Sequence, residues 1–137
     1  MIPVHAPMDE ALLQTVGVLE LAHVGDGVYE LLVRTYLARQ GGAKIGELHR
    51  RTVSYVAAPA QAAAMERLMP HLSQEEEKVW HRGRNAHVHS APSGCTLAQY
   101  HAATGLEALF GHLWLTGQVR RIQELFAIIE EGEDHAS

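Results

Sequence analysis

Few residues in this chain of 137 are of types and in settings suited to chemistry. Asp26 stands between two glycines in Gly25-Asp26-Gly27, and carboxylate oxygens are hard ligands of the kind that hold Mg²⁺. Taken alone, the tripeptide is a turn signal, because Asp-Gly favours turns and each glycine inside a helix costs about 1 kcal/mol. Any single acid is more often a surface charge or a helix cap than a ligand. Arg82-Gly83-Arg84-Asn85 offers two guanidinium groups, which match phosphate with paired hydrogen bonds. The plainer alternative places these cations at a helix C-terminus, where they are stabilising by up to about 1 kcal/mol. His87-Val88-His89 has no further partner at zinc spacing and reads as surface histidine. Cys95 is the only cysteine, so it can form neither an internal disulfide nor a zinc pair.

The elements that must position these residues are helical. Apolar residues recur at helical spacing, alternating β-branched runs are scarce, and no hairpin signal joins two strands. The expectation is a single all-α domain over residues 1–131, with a flexible acidic tail at 132–137. A first helix is predicted from about Asp9 to about Gln40, stopped by Gly41-Gly42. A second covers about Ile45 to Ala57, with Ile45, Leu48, Thr52 and Val56 near one face. Pro59 fits the first turn of a third, ending near Pro70. Ser73 and Glu76 match a capping box opening a fourth that runs toward Arg84. Thr96 caps a fifth reaching Thr116-Gly117, and a last amphipathic helix spans about Val119 to Glu131.

Composition limits the partners. A formal charge of -5 argues against a uniformly basic nucleic-acid-binding surface. The distribution matters more: acids crowd the C-terminal end, whereas none occurs between Lys78 and Leu106, a stretch holding Lys78, Arg82, Arg84 and four histidines. A local positive face on an acidic protein is one reading, and an ordinary solvated face is the other. No basic segment followed by an apolar run opens the chain and no stretch reaches membrane-spanning length, so a soluble, cytoplasmic protein without membrane contacts is expected.

Read together and in order, several blocks carry a resemblance. Leu21-Ala22-His23-Val24-Gly25-Asp26-Gly27-Val28-Tyr29-Glu30-Leu31 resembles the signature of the ribonuclease III catalytic domain, and more closely its version in the Mini-ribonuclease III family. Glu47-Leu48-His49-Arg50, Tyr55-Val56 with Ala60-Gln61-Ala62, Arg82-Gly83-Arg84-Asn85-Ala86, and Thr104-Gly105-Leu106-Glu107-Ala108-Leu109-Phe110-Gly111 follow in the family's order. Leu115-Thr116-Gly117 completes the series. In that family the Gly-Asp segment is a helix, against the turn its local propensity indicates.

The resemblance implies a compact helical catalytic domain acting as a symmetric homodimer, one site per strand of a duplex. It implies Mg²⁺-dependent hydrolysis of double-stranded RNA, with Mn²⁺ as a substitute in vitro, leaving 5′-phosphate and 3′-hydroxyl ends. Asp26 and Glu107 are the implied catalytic, metal-holding pair. Arg82, Arg84 and Asn85 are the implied RNA contacts, and Arg50 extends that surface. The implied substrate is precursor 23S ribosomal RNA in a bacterial or plastid setting, with room for assistance by a ribosomal protein. Larger relatives carry acids at positions matching Leu19, Ala22 and Thr104, and a separate double-stranded-RNA-binding domain for which this length leaves no space. Two ligands imply one firmly held ion rather than two. Glu20 is offset by one residue, about 100° around a helix. Glu30, one turn after Asp26, either orients a ligand or water or pairs with Arg34. The rival of another class is a catalytically silent helical module that binds structured RNA or a ribosomal partner.

Overall fold

In the computed structural model, residues 1–86 and 90–136 are described, those at 133–136 by backbone alone. Seven helices are present among them: α1 Glu10–Leu13, α2 Val18–Gln40, α3 Ile45–Val56, α4 Ala58–Leu68, α5 Gln74–Arg84, α6 Leu97–Leu115 and α7 Val119–Ala136. A 3-10 turn, Met69–His71, follows α4. No strand occurs among the described residues, in keeping with the all-α expectation.

α6 is the axis of the fold. It is apolar around most of its circumference, which suits a helix covered on several sides. α2, α4, α5 and α7 all pack on it, and Leu106, Leu109, Phe110 and Leu113 have no exposed surface. α2 presents Leu21, Ala22, Gly25, Tyr29, Val33 and Leu37 to this core, a stripe at helical spacing. Tyr29 meets Phe110 and Phe126 edge-on at 5.4 and 6.0 Å, joining α2, α6 and α7.

Two boundaries differ from expectation. The first helix is broken at residues 14–17: α1 ends after one turn, the Thr15 hydroxyl donates to the Leu12 carbonyl at 2.6 Å, and Gly17 becomes the N-cap of α2. Glu20 reaches back to accept the Gly17 N–H at 3.3 Å, so it serves as a cap. At the other end α7 continues to Ala136, past the boundary set at Glu131. On α3 the inward face is Leu48, Thr52 and Val56, while Ile45 lies 82% exposed at the first turn, outside the packed part of that face.

The predicted caps form as expected. The Ser73 hydroxyl accepts the Glu76 N–H at 3.1 Å and the Glu76 carboxylate accepts the Ser73 N–H at 2.8 Å. Thr96 and Gln99 make the same exchange at the start of α6. Glu76 does more than cap: Arg121 of α7 donates to both of its oxygens at 2.8 and 2.9 Å, and to the His71 carbonyl at 2.7 Å. That guanidinium holds the Glu76 carboxyl below the usual carboxylate range and ties three elements together.

Candidate active site

Asp26 lies inside α2, and the reason is the glycine before it. A methyl group on Gly25 would overlap the main-chain carbonyl of Glu107 and lie 2.8 Å from the Gly111 nitrogen. Gly111 in turn faces the backbone of Leu21. α2 and α6 therefore cross with their main chains nearly touching, a separation that only glycine allows. The contact outweighs the local preference for a turn. Gly27 behaves differently, because a side chain there would meet nothing within 4 Å. The two glycines flanking Asp26 thus have separate roles: Gly25 admits α6, and Gly27 leaves the outer face of α2 open.

The crossing brings the two acids together. Asp26 is exposed at the margin of the buried stripe of α2, and Glu107 is half-buried within an otherwise covered stretch of α6. Their carboxyls are within hydrogen-bonding reach. Burial pushes the Glu107 carboxyl up to about 8, the hydrogen bond and charge of Asp26 add to the shift, and the Gln61 amide opposes it. At neutral pH Glu107 therefore keeps a proton and can donate it toward Asp26. A dication between two such carboxyls removes the repulsion that favours that proton, so the pair fits a hard divalent ion. Mg²⁺ often keeps several waters, and two protein carboxylates suffice for it.

Among the described residues no group of three or more His, Cys, Asp or Glu side chains could hold a metal. Ala22 and Thr104 are buried, Thr104 donates its hydroxyl to the Tyr100 carbonyl at 2.9 Å, and Leu19 is 52% exposed. His87 and His89 lie outside the described residues.

The remaining candidates are dispersed. Glu30 pairs with Arg34 at 3.6 Å, both half-exposed, which favours the ion-pair alternative for it. Arg82 and Arg84 are exposed in the last turn of α5, with the Arg84 guanidinium 5.4 Å above the Trp80 ring. Asn85 is the C-cap, its N–H donating to the His81 carbonyl at 2.9 Å. These cations thus sit where a helix C-terminus is stabilised by them, and their heads remain open to solvent. Arg50 is exposed on α3, which packs on α2 and α4 rather than on α5. A groove of about 420 Å³ opens beside Glu107, bounded by Gln61, Tyr100, the 92–95 loop and the α3–α4 junction. Tyr29 and Trp80 are buried packing groups.

Sequence reasoning missed Gln61 as a site residue. It is 2% exposed and shares its face of α4 with Ala64, Met65 and Leu68. A polar residue at the head of an apolar i, i+3, i+4, i+7 stripe was the available signal. Glu76–Arg121 was also missed, since no local pattern links residues 45 positions apart.

Residues 19–118 match the family model described as the Ribonuclease III domain. A Mini-ribonuclease 3 from Symbiobacterium thermophilum is 44% identical over 123 residues, covering 87% of this chain and 95% of that protein. One from Enterococcus faecalis is 43% identical, covering 78% and 83%, and one from Synechocystis is 41% identical, covering 90% and 85%. A crystal structure of a Fusobacterium nucleatum protein superposes with a TM-score of 0.81 at 30% identity, covering 88% of this chain and 97% of that one. With fold, motif order and relatives in agreement, the chain belongs to the ribonuclease III domain family, within its Mini-ribonuclease 3 group of double-strand-specific endoribonucleases.

Proposed function

We propose that this chain hydrolyses double-stranded RNA using one Mg²⁺ held by Asp26 and Glu107, with Mn²⁺ able to replace it in vitro. The observation that carries the reading is the convergence of these two carboxyls at the Gly25 crossing, one exposed and one half-buried. The chemistry such an ion supplies is activation of water and neutralisation of charge on the phosphate. Asp26, on the open side, faces the strand to be cut. Glu107, rooted in α6 and half-buried, would be the second carboxylate to hold the ion. Hydrolysis then leaves a 5′-phosphate and a 3′-hydroxyl.

Arg82, Arg84 and Asn85 contact the RNA backbone from the end of α5, and Arg50 adds a further contact from α3. A duplex is recognised mainly by its A-form shape, phosphates and 2′-hydroxyls, so a few exposed cations serve on a chain of net charge -5. The proposed enzyme is a symmetric homodimer with one site per strand. Support comes from the open face of Gly27, the 63% exposed Leu31 beside it, and the apolar groove of about 310 Å³ that both line with Trp114. The proposed substrate is precursor 23S ribosomal RNA in a bacterial or plastid setting, cut in the cytoplasm in the bacterial case, with a ribosomal protein as assistant. No helix among the described residues is long and apolar enough to cross a membrane.

The test is incubation of pure protein and Mg²⁺ with a precursor 23S stem and with unrelated duplexes, followed by end mapping. The expected result is discrete cuts in the precursor stem with 5′-phosphate and 3′-hydroxyl ends. Tight binding without cutting of any duplex would replace this reading with the silent RNA-binding module.

A further inference from the structure

Gln61 is a buried polar side chain beside Glu107 to which the reading of Asp26 and Glu107 as an ion-holding pair gives no task. It sits in the first turn of α4, is 2% exposed, and is followed one and two turns later by core residues Met65 and Leu68. Its main-chain N–H is satisfied by the Ala57 carbonyl at 3.0 Å, so the side chain is not needed to complete the helix start. α4 packs on α6 here, and the Gln61 amide acts on the Glu107 carboxyl as a hydrogen-bond donor that opposes its upward shift. Both residues line the same groove, as do Tyr100 and the 92–95 loop.

A carboxylate intended to hold an ion has a difficulty that Gln61 answers. The glutamate side chain turns about three bonds, and each unfixed rotamer must be ordered when the ion binds. One amide N–H anchored in the core selects a single orientation beforehand. A buried amide donates more strongly than one in water, because solvent does not compete for the acceptor. Its neighbours Ala60, Ala62, Ala63 and Ala64 have no polar side chain that could substitute.

We propose that Gln61 is a positioning residue for the metal site: its amide N–H donates to the Glu107 carboxylate and holds it in the orientation that meets Asp26. Gln61 itself touches neither RNA nor the reacting atoms. This assignment rests on the reading of Asp26 and Glu107 as the ion-holding pair. The consequence is a division of effects. Loss of the amide weakens the ion and slows cleavage at limiting metal, but leaves RNA affinity and the fold as they were.

The experiment titrates Mn²⁺ into the RNA-free protein by calorimetry and measures cleavage of a long duplex against metal concentration. Wild type, Gln61→Leu, Gln61→Met and Asp26→Asn are compared. Both Gln61 variants keep the volume and lack the donor. They are expected to bind Mn²⁺ about 10- to 100-fold more weakly, the usual effect of removing such a partner. Excess metal should restore their rate, with the KM for RNA unchanged. Folded Gln61 variants that bind Mn²⁺ as wild type does would overturn the proposal, as would a rate that excess metal does not restore. If Asp26→Asn also binds and cuts normally, the ion-site reading itself has failed; if Asp26→Asn alone is impaired, only the role of Gln61 has. Should both Gln61 variants unfold, the wild-type protein decides. Its Gln61 side-chain amide resonances must move on Mg²⁺ addition and in Glu107→Gln, and unmoved resonances refute the contact.

Discussion

Replacing Gly25 by alanine places a methyl group inside the backbone of α6. The added carbon overlaps the Glu107 carbonyl and lies 2.8 Å from the Gly111 nitrogen, so relief requires moving a helix and not a side chain. Overpacking of this kind costs about 1–3 kcal/mol, occasionally more, and a rigid backbone obstacle belongs at the upper end. Against that, alanine gains about 1 kcal/mol of helix propensity over glycine. The net expectation is a loss of about 2 kcal/mol or more. For a domain of this size, about 4 °C accompanies each kcal/mol, so the melting temperature should fall by about 8 °C or more. Gly46→Ala is the control: it is also helical, but a methyl there meets only the flexible Arg50 side chain at 3.6 Å. It should leave stability unchanged or raise it by up to about 1 kcal/mol. Circular dichroism melts and urea titrations of both variants give the comparison. Cleavage by Gly25→Ala should drop further than its stability does, because the same shift separates Asp26 from Glu107. A Gly25→Ala protein as stable as wild type would refute the close-crossing argument.

Other expectations concern charge. Glu76 has its carboxyl lowered by Arg121, so the unfolded chain binds more protons in the acid range. Its stabilising contribution is therefore present above the ordinary carboxylate range near 4.5 and is lost as pH falls through the lowered value. Glu76→Gln, which keeps the cap but loses the charge pair, should cost about 1–3 kcal/mol at neutral pH and flatten the acid limb of a stability profile. Glu107→Gln removes the cost of ionising a buried carboxyl beside Asp26, so the metal-free variant should melt at or above wild type at pH 8 while cleavage falls at least about 100-fold; a lower melting temperature would contradict that reading of the pair. Arg82→Ala and Arg84→Ala should each weaken duplex binding uniformly across sequences and reduce the salt slope by about 1. Arg50→Ala should add independently to either, as fluorescence anisotropy at several salt concentrations would show.

Much of the fold was legible because its signals are local. Ser73 with Glu76, Thr96 with Gln99, and Pro59 in a first turn mark helix starts through neighbours within three residues. Gly41 and Gly42 stop α2 with φ of 72 and 80°, as a glycine pair readily does. The break at Gly17 was not legible, because Leu12, Leu13, Val16 and Val18 continue the apolar pattern across it. Gly25-Asp26-Gly27 shows the opposite failure: its local signal is a turn, and only the contact with α6, 82 residues away at Glu107, makes it helix. The family resemblance supplied what composition could not, namely that Asp26 and Glu107 act together. It supplied no role for Gln61 or for the Glu76–Arg121 pair, which depend on packing between α4 and α6 and between α5 and α7.

Whether Asp26 and Glu107 together hold the ion that cuts RNA is decided by kinetics at a single turnover. Single-turnover cleavage of a long RNA duplex is followed for wild type and Asp26→Asn, with Mg²⁺ and with chelator, after both proteins are shown to share one oligomeric state and one duplex affinity. Wild type is expected to cut only with the ion, and Asp26→Asn, although bound to the duplex, at least about 100-fold more slowly. Cleavage by Asp26→Asn at the wild-type rate, or by wild type in chelator, would contradict that role for the pair.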